Sequence, residues 1–220
     1  MNDTIITLCI PIFDDWTSVA LLLSEIDKCF ALRTESVQVL LVDDCSTKKI
    51  EPLLGAEYKT ISRVEVLHLH RNLGHQGAIA VGLSYIEKFW SCDAIVVMDG
   101  DGEDSAAGLE QLIDSFRSSS QDHIIFAERG RRFEKLGFRI LYGIYRSIFR
   151  VMTGRVIRVG NFSLVPKEQL GCVAGITSLW NHYAASILKS KLPVAYVTID
   201  RGRRYADTST MNFYSLFVHG

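Results

Sequence analysis

Four acids crowd into six positions of the segment DAIVVMDGDGEDSA, residues 93–106: Asp99, Asp101, Glu103 and Asp104. The apolar run Ala94 to Met98 leads straight into them. Neighbouring carboxylates repel, so such a knot needs a countercharge or open water. Alternate acids at a strand's end suit a hard divalent cation such as Mg2+ or Mn2+. Such a cation takes oxygen ligands and needs few from the protein when a diphosphate supplies the rest. An EF-hand is excluded, because Asp104 stands where that loop requires glycine and a β-branched run replaces its leading helix. A turn capping the next helix, with Asp104 or Ser105 as N-cap, explains one acid and not four.

Other charged residues sit at comparable places. Asp14 and Asp15 follow TIITLCIPIF, Asp43 and Asp44 end VQVLLVDD, and Arg71 follows VEVLHLH. These short, β-branched apolar runs read as buried strands, with AIVVMD and HIIFAE as a fourth and fifth. Helical periodicity separates them over residues 16–32, 72–89 and 105–116; in the first, Val19, Leu22, Leu23 and Ile26 share a face. Strands joined by helical crossovers predict an α/β fold, a mostly parallel sheet with helices on both faces. Ligands of such sheets bind beyond the carboxyl ends of the strands, which is where all these charged residues fall.

Several function classes are excluded. A dinucleotide-binding enzyme needs a glycine-rich turn after its first strand, and IPIFDDW offers two acids and no glycine. No P-loop motif occurs. The net charge of −1 gives no reason to expect nucleic acid. Five dispersed cysteines, Cys9, Cys29, Cys45, Cys92 and Cys172, fit reduced cytosolic thiols rather than a disulfide framework or zinc site. The six histidines lack metal spacing beyond the alternation of His68 and His70; His75, in the turn Gly74–Gly77, is a candidate to touch a ligand.

The last third is different. Between Arg129 and Arg158 nine Lys or Arg face one Glu. Within LGFRILYGIYRSIFRVM, residues 136–152, Arg139, Arg146 and Arg150 fall within about 40° of one another on a helix, with apolar and aromatic residues opposite. That pattern suits a membrane interface, and equally a core-packed helix with a solvated basic face. Two arginine groups, Arg129–Arg131–Arg132 and Arg201–Arg203–Arg204, have the forked geometry to clamp phosphates or to form solvated patches.

In order, TLCIPIFDD, VLLVDDCSTKK, HRNLGHQGAIAVGL, VVMDGDGED and GNFSLVPKEQL resemble the family 2 glycosyltransferases of the GT-A fold, particularly dolichyl- and undecaprenyl-phosphate sugar synthases. The resemblance implies one catalytic domain over residues 1–220, with a nucleotide-sugar half (1–128) and an acceptor-side half (129–220), before membrane segments that follow in related proteins. It places Pro11, Phe13, Asp14, Asp15, Asp44, Arg71, Gly77 and Asp99 around the nucleotide of a UDP- or GDP-linked sugar. It assigns Mg2+ or Mn2+ to Asp99 and Asp101, and leaves Asp43 as a strand-end acid bonded to backbone. Asp101, Asp104, Arg131 and Arg132 are the expected catalytic groups. Relatives often carry Asp where this chain has Asn161, and an amide accepts no proton. Either Asp104 or Glu103 is then the base, or the acceptor is a lipid phosphate already ionised, at the cytoplasmic face of a membrane. Transfer to a saccharide or other hydroxyl, and an inactive nucleotide-sugar-binding protein, are the alternatives.

Overall fold

The structure, a computed structural model, describes residues 4–48, 57–129 and 159–205. Its centre is a seven-stranded sheet whose strands lie in the order 61–68, 36–43, 5–12, 94–97, 159–166, 124–129 and 194–199. Strands β1 (Ile5–Ile12), β2 (Ser36–Asp43), β3 (Ile61–His68) and β4 (Ala94–Val97) pair in parallel. β6 (Val159–Pro166) runs antiparallel to β4 on one side and to β5 (Ile124–Arg129) on the other, and β7 (Val194–Ile199) then adds to β5 in parallel. Among the described strands only β6 is reversed, so the expected mostly parallel sheet is present.

Helices cover both faces because the central strands are apolar on both sides. Ile6, Leu8, Ile10 and Ile12 of β1 pack with α1 (Trp16–Cys29) and α3 (Ala106–Ser118). Cys9 of the same strand joins the other core, under α2 (Gly74–Phe89), α4 (Lys167–Ala174) and α5 (Tyr183–Lys189). Alternate side chains of one strand thus fill opposite layers. Of the two expected caps, Ser105 is the N-cap of α3; its hydroxyl accepts from the Gly108 amide at 3.2 Å.

β6 and β7 add to the five strands expected from sequence. Gly160, Asn161 and Ser163 interrupt the apolar run of β6, although it is a central strand. Its buried Ser163 is tolerated because the hydroxyl donates to the Asn161 carbonyl at 2.9 Å and bonds the Tyr183 hydroxyl at 2.8 Å. Chain order reverses between β1 and β4, so a crevice opens beyond their carboxyl ends. Among the described residues no helix is long and apolar enough to cross a membrane.

Candidate active site

The crevice is walled on one side by the ends of β1 and β2. Pro11 is buried within β1, and Phe13, just past it, is 45% exposed. Asp14 adopts φ 57°, the left-handed region that Asp tolerates better than most residues. Its Oδ1 accepts from the amides of Thr47 and Lys48, each at 2.7 Å, and its Oδ2 from the Thr47 hydroxyl at 2.8 Å. The Lys48 amide bond, with the Thr47 bonds and the Lys48 charge, outweighs the burial cost and holds this carboxyl below its ordinary range. Asp14 therefore clamps the loop after β2 onto the loop after β1. Asp43, buried, caps the same loop, accepting from Ser46 N at 2.9 Å and meeting His68 Nδ1 at 2.7 Å. Asp44, also buried, accepts from Leu73 N at 2.6 Å and so ties β2 to the start of α2; burial pushes its carboxyl up. Asp15 lies at the head of α1 with no side-chain capping bond, and Arg71 is exposed.

The acid knot forms the facing wall. Asp99 follows β4, and its amide donates to Asp104 Oδ2 at 2.8 Å. The turn is closed by the Glu103 amide donating to Asp101 Oδ1 at 2.9 Å and by Gly102 at φ 90°, a conformation a side chain would strain. Asp101 Oδ2 meets Arg204 Nε at 2.9 Å, Glu103 Oε1 meets the same nitrogen at 3.2 Å, and Arg201 pairs with the other oxygen of Glu103. The countercharge that the sequence leads one to seek in a cation and diphosphate is thus supplied, in this structure, by two arginines beyond β7. Burial first, then the neighbouring Asp99, raises the Asp101 carboxyl despite Arg204 and Arg201.

A third group joins these acids to β6 and α5. His75 Nε2, on the first turn of α2, lies 3.2 Å from Asp99 Oδ1 and 2.9 Å from the Asn161 amide nitrogen. Burial disfavours the imidazolium, but Asp99, with Asp104 and Asp44 further off, outweighs it and raises this histidine. Gln76 donates weakly to Asn161 Oδ1 at 3.5 Å and accepts from Tyr183 N at 2.6 Å. Sequence reasoning passed over Gln76, whose only signal is its place beside His75. Gly77 is required by its own helix: a Cβ there would stand 2.8 Å from Leu73 Cβ and 3.6 Å from the half-exposed Trp180 ring. Tyr183 packs wholly in the core, whereas Asn181 and His182 are exposed.

A narrow cleft lined by Asp99, Glu103, Asp104, Asn161 and Arg201 has room for about two waters, some 30 Å3. Arg131, Arg132 and the amphipathic segment 136–152 lie outside the described residues. Among the described residues no three acids, histidines or cysteines converge as a metal cage. Asp99 and Asp101 nevertheless fit a hard cation: both offer only oxygen, and both follow β4 at the switch-point crevice.

This sheet order, with acids massed beyond β4, is that of the GT-A fold. The comparisons agree. The model for "Glycosyl transferase family 2" matches residues 7–168, well over half of the sequence. The chain belongs to that family. An undecaprenyl-phosphate 4-deoxy-4-formamido-L-arabinose transferase of Photorhabdus laumondii is 24% identical over 152 residues, covering 68% of this chain and 45% of the relative. The chain spans from 32% to 66% of the length of the curated relatives it matches. Among solved structures, mannosyl-3-phosphoglycerate synthase from Rubrobacter xylanophilus superposes with TM-score 0.69 at 16% identity, covering 98% of this chain and 70% of that one. Glucosyl-3-phosphoglycerate synthase from Mycobacterium tuberculosis, in complex with Mn2+ and UDP-glucose, gives 0.64 at 14% identity, covering 98% and 74%. At those identities the structures speak for the fold alone.

Proposed function

We propose that this chain transfers a sugar from a UDP- or GDP-linked donor to a polyprenyl phosphate at the cytoplasmic face of a membrane, with Mg2+ or Mn2+ and inversion at the anomeric carbon. The observation that carries the reading is how the cleft's candidate bases are engaged. Position 161 presents an amide, Glu103 is bound to Arg201 and Arg204, and Asp104 is engaged by the Asp99 amide. An acceptor phosphate needs no base. Its ionised oxygen forms the new bond to the anomeric carbon as the bond to the donor diphosphate breaks, and the nucleoside diphosphate leaves with the electron pair. The names of the undecaprenyl-phosphate relatives support the same acceptor class.

Asp99 and Asp101 would hold the cation, whose charge stabilises the leaving diphosphate. The loops that Asp14, Asp43 and Asp44 brace form the nucleotide side of the crevice, with Pro11, Phe13, Asp15, Arg71 and Gly77 around it. Arg131 and Arg132 are assigned to the acceptor phosphate, and residues 136–152 to the membrane surface. Asp104, which lines the cleft beside Asn161, favours a second reading in which a hydroxyl acceptor is deprotonated.

The test is transfer of labelled sugar from UDP- and GDP-linked donors, with Mn2+, to polyprenyl phosphate in detergent and to free saccharides. Extractable labelled lipid is expected. Asp104→Asn should slow that transfer less than tenfold, whereas a general base would cost about 10²–10⁴-fold. A product made only on saccharides, or none with any acceptor, refutes the proposal.

A further inference from the structure

The segment Arg201–Tyr205 leaves β7 and crosses directly over the acid turn. Gly202 N donates to the Glu103 carbonyl at 2.8 Å, and Tyr205 N to the Asp101 carbonyl at 3.1 Å. The backbones touch: a Cβ on Gly202 would lie 2.3 Å from the Gly102 oxygen, and one on Gly102 would lie 2.3 Å from the Tyr205 ring. The Tyr205 hydroxyl donates to Glu25 on α1, fixing the far end of the segment. Charge completes the attachment through the pairs of Arg204 with Asp101 and Glu103, and of Arg201 with Glu103.

Asp101 is the crux. One of its oxygens closes the turn by accepting the Glu103 amide, and the other is held by Arg204. A cation that requires an anionic oxygen from this carboxylate meets a guanidinium already there.

We propose that Arg201–Tyr205 is a latch in which Arg204 and a divalent cation compete for Asp101, so that arrival of the cation with a diphosphate lifts the segment off the acid turn. The inference rests on the cation site assigned above. A cation alone must break the Asp101–Arg204 pair and leave Arg204 only Glu103, which Arg201 already shares, so it binds poorly. A cation accompanied by a diphosphate brings an anion that the released guanidinium can pair with, and the two bind with positive coupling. The latch also keeps Asp101 and Glu103 neutralised while no donor is present.

The experiment titrates Mn2+ alone, and Mn2+ with UDP or GDP, into the wild-type chain, Arg204→Gln and Asp101→Asn by calorimetry, and follows amide hydrogen exchange at Gly202 and Tyr205. Arg204→Gln should bind Mn2+ alone about tenfold more tightly than wild type, the size of a half-exposed, charge-assisted bond. In wild type, Mn2+ with the nucleotide should speed exchange of both amides. Unchanged or weaker Mn2+ binding by Arg204→Gln, or amides equally protected at saturation, overturns the latch. The exchange arm needs no variant, so a poorly folded Arg204→Gln still leaves a decision. Mn2+ binding that survives Asp101→Asn, or no Mn2+ binding at all, removes the cation site itself. Loss in Asp101→Asn without gain in Arg204→Gln sinks only the latch.

Discussion

The clamp formed by Asp14 can be taken apart with three substitutions that separate its two physical components. The carboxylate accepts two backbone amides and one hydroxyl from residues 47 and 48, and the backbone at Asp14 sits at φ 57°. Water reaches this loop, so each lost bond is worth about 0.5–1 kcal/mol rather than the larger figure for a buried charged pair. Three such bonds give about 1.5–3 kcal/mol. The left-handed backbone adds about 1 kcal/mol for alanine, little for asparagine and none for glycine, whose extra freedom in the unfolded chain costs about 0.5–1 kcal/mol instead. Asp14→Ala should therefore lose about 2.5–4 kcal/mol, Asp14→Gly nearly as much or slightly less, and Asp14→Asn only about 1 kcal/mol, in urea unfolding at pH 7. The folded carboxyl lies below its ordinary value, so its contribution is present above that value and is lost as pH falls through the depressed one. The gap between wild type and Asp14→Ala should narrow on acidification. Equal urea midpoints for wild type, Asp14→Gly and Asp14→Asn would refute the clamp.

Three further outcomes follow from single contacts. Glu35, its side chain 1% exposed, is held by Arg33 at 3.0 Å and Arg117 at 2.6 Å, so Glu35→Gln should cost about 3 kcal/mol in the same unfolding assay. Burial opposes its ionisation but these arginines prevail and lower it, so this difference too should shrink as pH falls below the ordinary glutamate range. Gly82→Ala would set a Cβ 2.5 Å from Cys9 Sγ and 2.8 Å from Val42 Cγ2, lifting α2 from the sheet at a cost of about 1–3 kcal/mol. Tyr183→Phe removes the hydroxyl paired with buried Ser163 and should lower the urea midpoint by the equivalent of about 1 kcal/mol.

The parallel half of the sheet was legible because its strands are buried on both faces and therefore read as unbroken apolar runs. Val39, Leu40, Leu41 and Val42 are all fully buried, on alternate sides of the sheet. β6 escaped notice for the opposite reason. Its Gly160, Asn161 and Ser163 break the apolar run, and the polar pair is satisfied by His75 and Tyr183, distant partners that no local pattern announces. The role of Asp14 was half visible. Its place at a strand's end was plain, but its bonds to Thr47 and Lys48 depend on how two loops meet.

The acid knot shows where such reading stops. A row of carboxylates announces unsatisfied charge, because Coulomb repulsion depends only on the residues and their spacing. The partner that satisfies the charge is not local: Arg204 stands more than a hundred residues after Asp101 and reaches it only because β7 joins the sheet beside β5 and returns the chain over the turn. The sequence could therefore say that positive charge was required, and a divalent cation was the economical answer. In the latch proposed above, the arginine makes the cation a competitor and not the first occupant. A site so arranged would discriminate against free metal and favour metal that arrives with its own anion, the property that the proposed diphosphate-leaving reaction requires.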